Sequence, residues 1–121
     1  MHLSDEELEK VGRIVDLIRD KKGRDVRILD MRDHSVAASF FIIADGDNPK
    51  QVEAIANNIV DGLAEKPLHK EGLDQKKWIA LDYEQVWVHI FMEETRDFYD
   101  LDGFWIDRTL SLDELSPAGA N

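Results

Sequence analysis

The chain contains no cysteine, and its 121 residues include only three prolines and seven glycines. Without thiols there is no disulfide scaffold and no thiolate metal site, and the composition fits a reducing compartment. Long hydrophobic runs are missing too. No apolar stretch approaches the ~20 residues of a membrane span, and Met1-His2-Leu3-Ser4 has neither the basic start nor the apolar core of a secretory signal. The cytoplasm is the expected compartment. Positive charge is also scarce: 15 Lys and Arg stand against 26 Asp and Glu, a formal net charge of −11. A nucleic-acid backbone is repelled overall by such a chain, so DNA is not a direct partner and RNA contact is minor. A basic protein would be steered toward it, although acidic surfaces also serve simple solubility.

What is present suits one α/β domain. A chain of this length buries roughly two-thirds of its unfolded surface, and no internal repeat or second domain is visible. The domain is expected to occupy residues 1–106, with 107–121 as a partly disordered tail ending in Ser116-Pro117-Ala118-Gly119-Ala120-Asn121. Leu110, Leu112 and Leu115 are the residues able to dock part of it.

The first helix is well signalled. Ser4 is placed to N-cap it, Glu7 completes a capping box, and Leu8, Val11, Ile14, Val15 and Ile18 form an apolar stripe. Lys21-Lys22-Gly23 ends it, with Gly23 expected to take the left-handed position. Strands are read over 26–31 and 38–44, joined by a turn at Asp33-His34-Ser35; the second is nearly all apolar and therefore central. Asn48 then caps a second helix with Pro49 at its first position, and a stripe from Val52 to Leu63 must bury against the sheet. A short strand at 68–71 follows, which implies a mixed sheet with a crossover, flanked by helices.

The stretch from Lys77 to Trp105 is the most informative block. Trp78–Asp82 and Gln85–Phe91 read as a hairpin around Tyr83-Glu84. With Asp82 opposite Gln85, one face is aliphatic (Ile79, Leu81, Val86, Val88, Ile90) and the other aromatic, placing Trp78 opposite His89 and Ala80 opposite Trp87. Helices should cover the aliphatic face, leaving the aromatic face as a second core layer or a docking surface. An acidic, aromatic helix follows from about Glu93 to Leu101.

These landmarks occur in a particular order: Asp20-Lys21-Lys22, Leu29-Asp30, Phe41-Ile42-Ile43, Gln51-Val52, Glu71-Gly72, Trp78, Leu81-Asp82-Tyr83, Val88-His89, Glu94-Thr95-Arg96, Tyr99-Asp100-Leu101 and Trp105. Together they resemble the ribosomal silencing factor family, also called Iojap-like. The resemblance implies a fold related in topology to nucleotidyltransferases but without their catalytic groups, and needing no cofactor. It also implies a stoichiometric translation repressor. Such a protein binds a basic ribosomal protein, the uL14 protein, on the intersubunit face of the large ribosomal subunit and keeps the small subunit from joining. The positions expected to meet the partner are Trp78, Asp82, Tyr83, Trp87, His89, Tyr99 and Leu101. Trp87 stands where the family usually carries a β-branched aliphatic residue.

Two other classes draw on parts of the sequence. A metal-dependent nucleotidyltransferase or phosphotransferase would need fixed carboxylates beside a phosphate-gripping Gly-Ser pair; the chain offers Asp45 and Asp47 but no Gly-Ser, and turn and cap chemistry explains both acids. His89 with Asp82 could pair as a general base, yet no nucleophile accompanies them. His2, His34 and His69 are scattered and do not read as a metal set. The third class is a plain oligomerisation module, since self-association is compatible with this fold.

Overall fold

The computed structural model describes residues 5–32, 39–100, 103 and 109–110. Among these residues the elements run in the order α1 (Asp5–Asp20), β1 (Arg24–Asp30), β2 (Phe40–Gly46), α2 (Pro49–Gly62), β3 (His69–Glu71), β4 (Trp78–Asp82), β5 (Val86–Met92), α3 (Glu93–Tyr99) and β6 (Thr109–Leu110). They form one mixed sheet of order β3-β4-β5-β2-β1-β6. The β2–β5 pair is parallel and the four other pairs are antiparallel. Chain passing from β2 through α2 supplies the crossover that a parallel pair requires.

One face of the sheet carries the main core. Val11, Ile14 and Ile18 of α1 and Val52, Ile55 and Ile59 of α2 are fully buried against Ile42, Ile79, Val88 and Ile90. The α2 start follows its capping signal: the Asn48 side chain accepts from the Gln51 amide at 2.9 Å, with Pro49 at the first position. The α1 end differs from expectation in one respect. Lys22, not Gly23, takes the left-handed conformation (φ 66°), while the Gly23 amide donates to the Ile18 carbonyl at 3.0 Å. Glycine is required there because a Cβ would collide with the Ile18 side chain. The predicted Ser4 cap and the Asp33-His34-Ser35 turn lie outside the described residues.

The hairpin faces are as expected, but the register is not. Asp82 is opposite Trp87, Leu81 opposite Val88, Ala80 opposite His89 and Trp78 opposite Phe91. The tip is Glu84-Gln85 rather than Tyr83-Glu84: the Tyr83 amide donates to the Val86 carbonyl at 2.9 Å, and Glu84 carries a positive φ of 72°. Because the offset is two residues and side chains alternate with period two, every residue keeps its face. Leu110, one of the residues expected to dock the C-terminal part, pairs with Ile28, and Thr109 pairs with Leu29, which adds a strand beside β1. Strand β1 would otherwise be an uncovered edge with unpaired backbone groups.

Candidate docking site

The second face of the sheet has a smaller core of Leu29, Met31, Ile43 and Phe91, with Phe41 and Trp78 half-buried against it. Trp78 opens β4 at the end of this face, stacked on Phe91 with ring centroids 4.7 Å apart. Its indole Nε1 donates to His89 Nδ1 at 3.1 Å. On its other side lies the Tyr99 ring, 4.9 Å from the Trp78 centroid, and Tyr99 meets Phe98 edge to face at 5.1 Å.

These rings form one wall of an open groove of about 870 Å³ between α3 and the turn joining β3 to β4, bounded by Leu73, Lys77, Trp78, Glu94, Phe98 and Tyr99. Phe98 is 82% exposed and Tyr99 55% exposed, an unusual display of aromatic surface on so acidic a chain. Gly72 makes the turn possible. Its φ is +83°, and a Cβ would strike the Trp78 carbonyl oxygen.

The fold disperses the six expected contact residues that lie among the described ones. Trp78 and Tyr99 meet at the groove. Asp82 and Trp87 face each other near the opposite end of the hairpin, about 13 Å from Trp78 at strand rise. The Asp82 carboxylate accepts from the Glu84 amide at 2.7 Å, so it braces the turn. Trp87 is half-buried and stacks on Phe41 at 6.2 Å. His89 is only 5% exposed, ringed by Phe41, Trp78 and Phe91. Burial pulls its pKa down to about 4, so the ring is neutral. Its partner is Trp78 and not Asp82, which removes the general-base pairing.

Tyr83 is a correction: it is fully buried in the main core and presents no surface. Alternation from Ile79 and Leu81 puts it on the helix-covered face, where Lys10 Nζ sits 5.6 Å from its ring centre. Burial, with Glu65 nearby, pushes its pKa up to about 12. Leu101 lies outside the described residues. Phe98, conversely, is missing from the sequence reading. The signal was there, since adjacent aromatics on a helix point about 100° apart and a short helix cannot bury both.

The acids proposed for metal chemistry are occupied. Asp45 is 5% exposed and accepts from Arg96 Nη1 at 3.2 Å, with Arg24 Nε at 3.5 Å; Asp47 pairs with Arg24 Nη2 at 2.5 Å. Among the described residues no group of three or more His, Asp or Glu is placed to hold a metal ion, and no helix is long and apolar enough to cross a membrane.

The family model described as "Ribosomal silencing factor during starvation" matches residues 4–120. The chain belongs to the ribosomal silencing factor family. It is 37% identical over 95 residues to the ribosomal silencing factor of Bacillus subtilis, covering 76% of this chain and 80% of that protein. It is 34% identical over 108 residues to the counterpart in Halalkalibacterium halodurans, covering 87% and 91%. A crystal structure of a Chromobacterium violaceum protein superposes with a TM-score of 0.78 at 28% identity, covering 90% of this chain and 92% of that one. Silencing factors are ribosome-associated translation regulators, and the α/β fold with its mixed sheet is that of the family.

Proposed function

We propose that this chain represses translation by docking on a basic ribosomal protein, the uL14 protein, at the intersubunit face of the large subunit, so that the small subunit cannot join. Family membership supplies the ribosome as the target. The observation carrying the contact assignment is the exposed Phe98–Tyr99 pair beside Trp78 on an open groove. Interfaces favour such rigid aromatic anchors near their centre. Glu71, Asp74 and Glu94 line the same groove and offer charge-assisted partners to Lys or Arg. The net charge of −11 steers the chain toward a basic surface.

In this reading Trp78, Phe98 and Tyr99 are the anchors, and Leu101 extends them along the chain. Trp87 and Asp82 belong to the rim, while His89 acts through Trp78. The action is stoichiometric occlusion and needs no catalytic group. Sedimentation with separated subunits tests it: the protein should travel with the large subunit alone, and equal migration with both subunits would refute the assignment.

A further inference from the structure

Helix α3 carries two of the anchors and is short. It is seven residues long, lacks a side-chain N-cap bond and has Phe98 and Tyr99 turned to solvent. Helices this short are not stable by themselves, so their orientation is set by tertiary contacts. Arg96 supplies such a contact. Only 4% exposed, it runs inward from the middle of α3 to the Asp45 carboxylate at 3.2 Å, and its other terminal nitrogen lies 3.7 Å from Asp25 Oδ2. Arg24 adds a second link, reaching both Asp45 and Glu93, the first residue of α3, at 3.5 and 3.3 Å.

The same cluster accounts for a backbone irregularity. The β1–β2 register breaks between Arg24 and Arg27, and Asp25, a non-glycine residue, sits there at φ 51°. Bulges re-aim side chains, and an unfavourable dihedral persists where surrounding contacts hold it. Here the bulge delivers the Asp25 carboxylate to Arg96.

We infer that Arg96, held by Asp45 and by the bulged Asp25, is a positioning residue for docking: it fixes α3 against the end of the sheet and thereby sets Phe98 and Tyr99 beside Trp78. This rests on the groove being the docking surface. A buried guanidinium hydrogen-bonded to one carboxylate and within ion-pair range of a second is directional in a way that apolar packing is not, because its planar fork defines both position and rotation. The helix is therefore held at one angle.

Hydrogen exchange and large-subunit affinity, measured on the full chain, test the inference. Arg96→Met keeps the aliphatic length and removes the tether. It should raise exchange at the α3 amides by about tenfold or more while leaving β5 protection unchanged, and weaken large-subunit binding by about tenfold. Should the single variant unfold because Asp45 is left buried without Arg96, the double variant Asp45→Asn/Arg96→Met removes both charges and carries the same expectation. Asp25→Asn, at an exposed site, should accelerate α3 exchange to a smaller degree. Unchanged α3 exchange and affinity in a folded Arg96 variant, with Phe98→Ala still losing affinity, would overturn the tether and leave the groove assignment standing. Unchanged affinity in both Arg96→Met and Phe98→Ala would overturn the groove assignment and this inference with it.

Discussion

The Trp78 indole donates to Nδ1 of His89 across the hairpin at 3.1 Å, which fixes the histidine tautomer. With Nδ1 accepting, the neutral ring carries its proton on Nε2, and that atom is buried with no hydrogen-bond partner among the described residues. Protonating His89 would set an N–H against the indole N–H and place a charge among aromatic rings. Both effects oppose the cation.

Stability should therefore fall in mild acid. The folded-state pKa of about 4 lies below the ordinary 6.5, so between these values the unfolded chain binds a proton that the folded one refuses. The contribution is complete above pH 6.5, declines as pH falls and is exhausted near pH 4, amounting to about 3 kcal/mol. Asp45, whose pKa burial raises against the pull of Arg96 and Arg24, acts in the opposite direction as the pH falls. Denaturant midpoints across pH 4–7 for the parent and His89→Gln check this. The slope should flatten in the variant, and an equal slope in both would exclude His89 as its source.

Tyr83→Phe should leave the fold intact or stabilise it by up to about 1 kcal/mol, because the hydroxyl is buried with no hydrogen-bond partner among the described residues. Ribosome affinity should not change, since the ring faces α1 and not the groove. Thermal unfolding and subunit binding together read this out; a loss of affinity at unchanged stability would put Tyr83 back on the docking surface.

Trp78 combines two roles. Trp78→Phe keeps a ring to stack on Phe91 but removes the donor to His89, and should cost about 1 kcal/mol of stability. Trp78→Ala also opens a gap in the second core, so about 2–3 kcal/mol is expected, together with lost binding. Chemical denaturation of the two variants against the parent separates packing from hydrogen bonding. Equal stabilities would show that the indole contributes neither.

Local signals were the legible part of this fold. Asn48-Pro49 announced α2 because a cap acts within one helical turn, and the hairpin faces survived a register error because alternation has period two. What could not be read depended on long-range contact or on the backbone. Nothing adjacent in sequence marks Glu84 for a positive φ, and the observed turn lies one residue later than the sequence pattern predicts, with each cross-strand partner shifted by two. Asp45 and Arg96 are 51 residues apart, and only the sheet order brings them together. Of the expected contact set, Trp78 and Tyr99 share the groove, whereas Tyr83 is sealed in the core; parity already grouped it with Ile79 and Leu81.

Phe98 gives the most direct test. It is 82% exposed, so Phe98→Ala should leave stability within about 0.5 kcal/mol of the parent. If the groove is the docking surface, the same truncation should cost about 2 kcal/mol of binding, roughly a thirtyfold loss of affinity for the large subunit. Subunit joining, followed by light scattering on mixing large and small subunits with saturating parent or variant protein, reads the consequence. The parent should suppress joining, and Phe98→Ala at the same concentration should suppress it far less while melting at the same temperature. A variant as stable and as inhibitory as the parent would contradict the account.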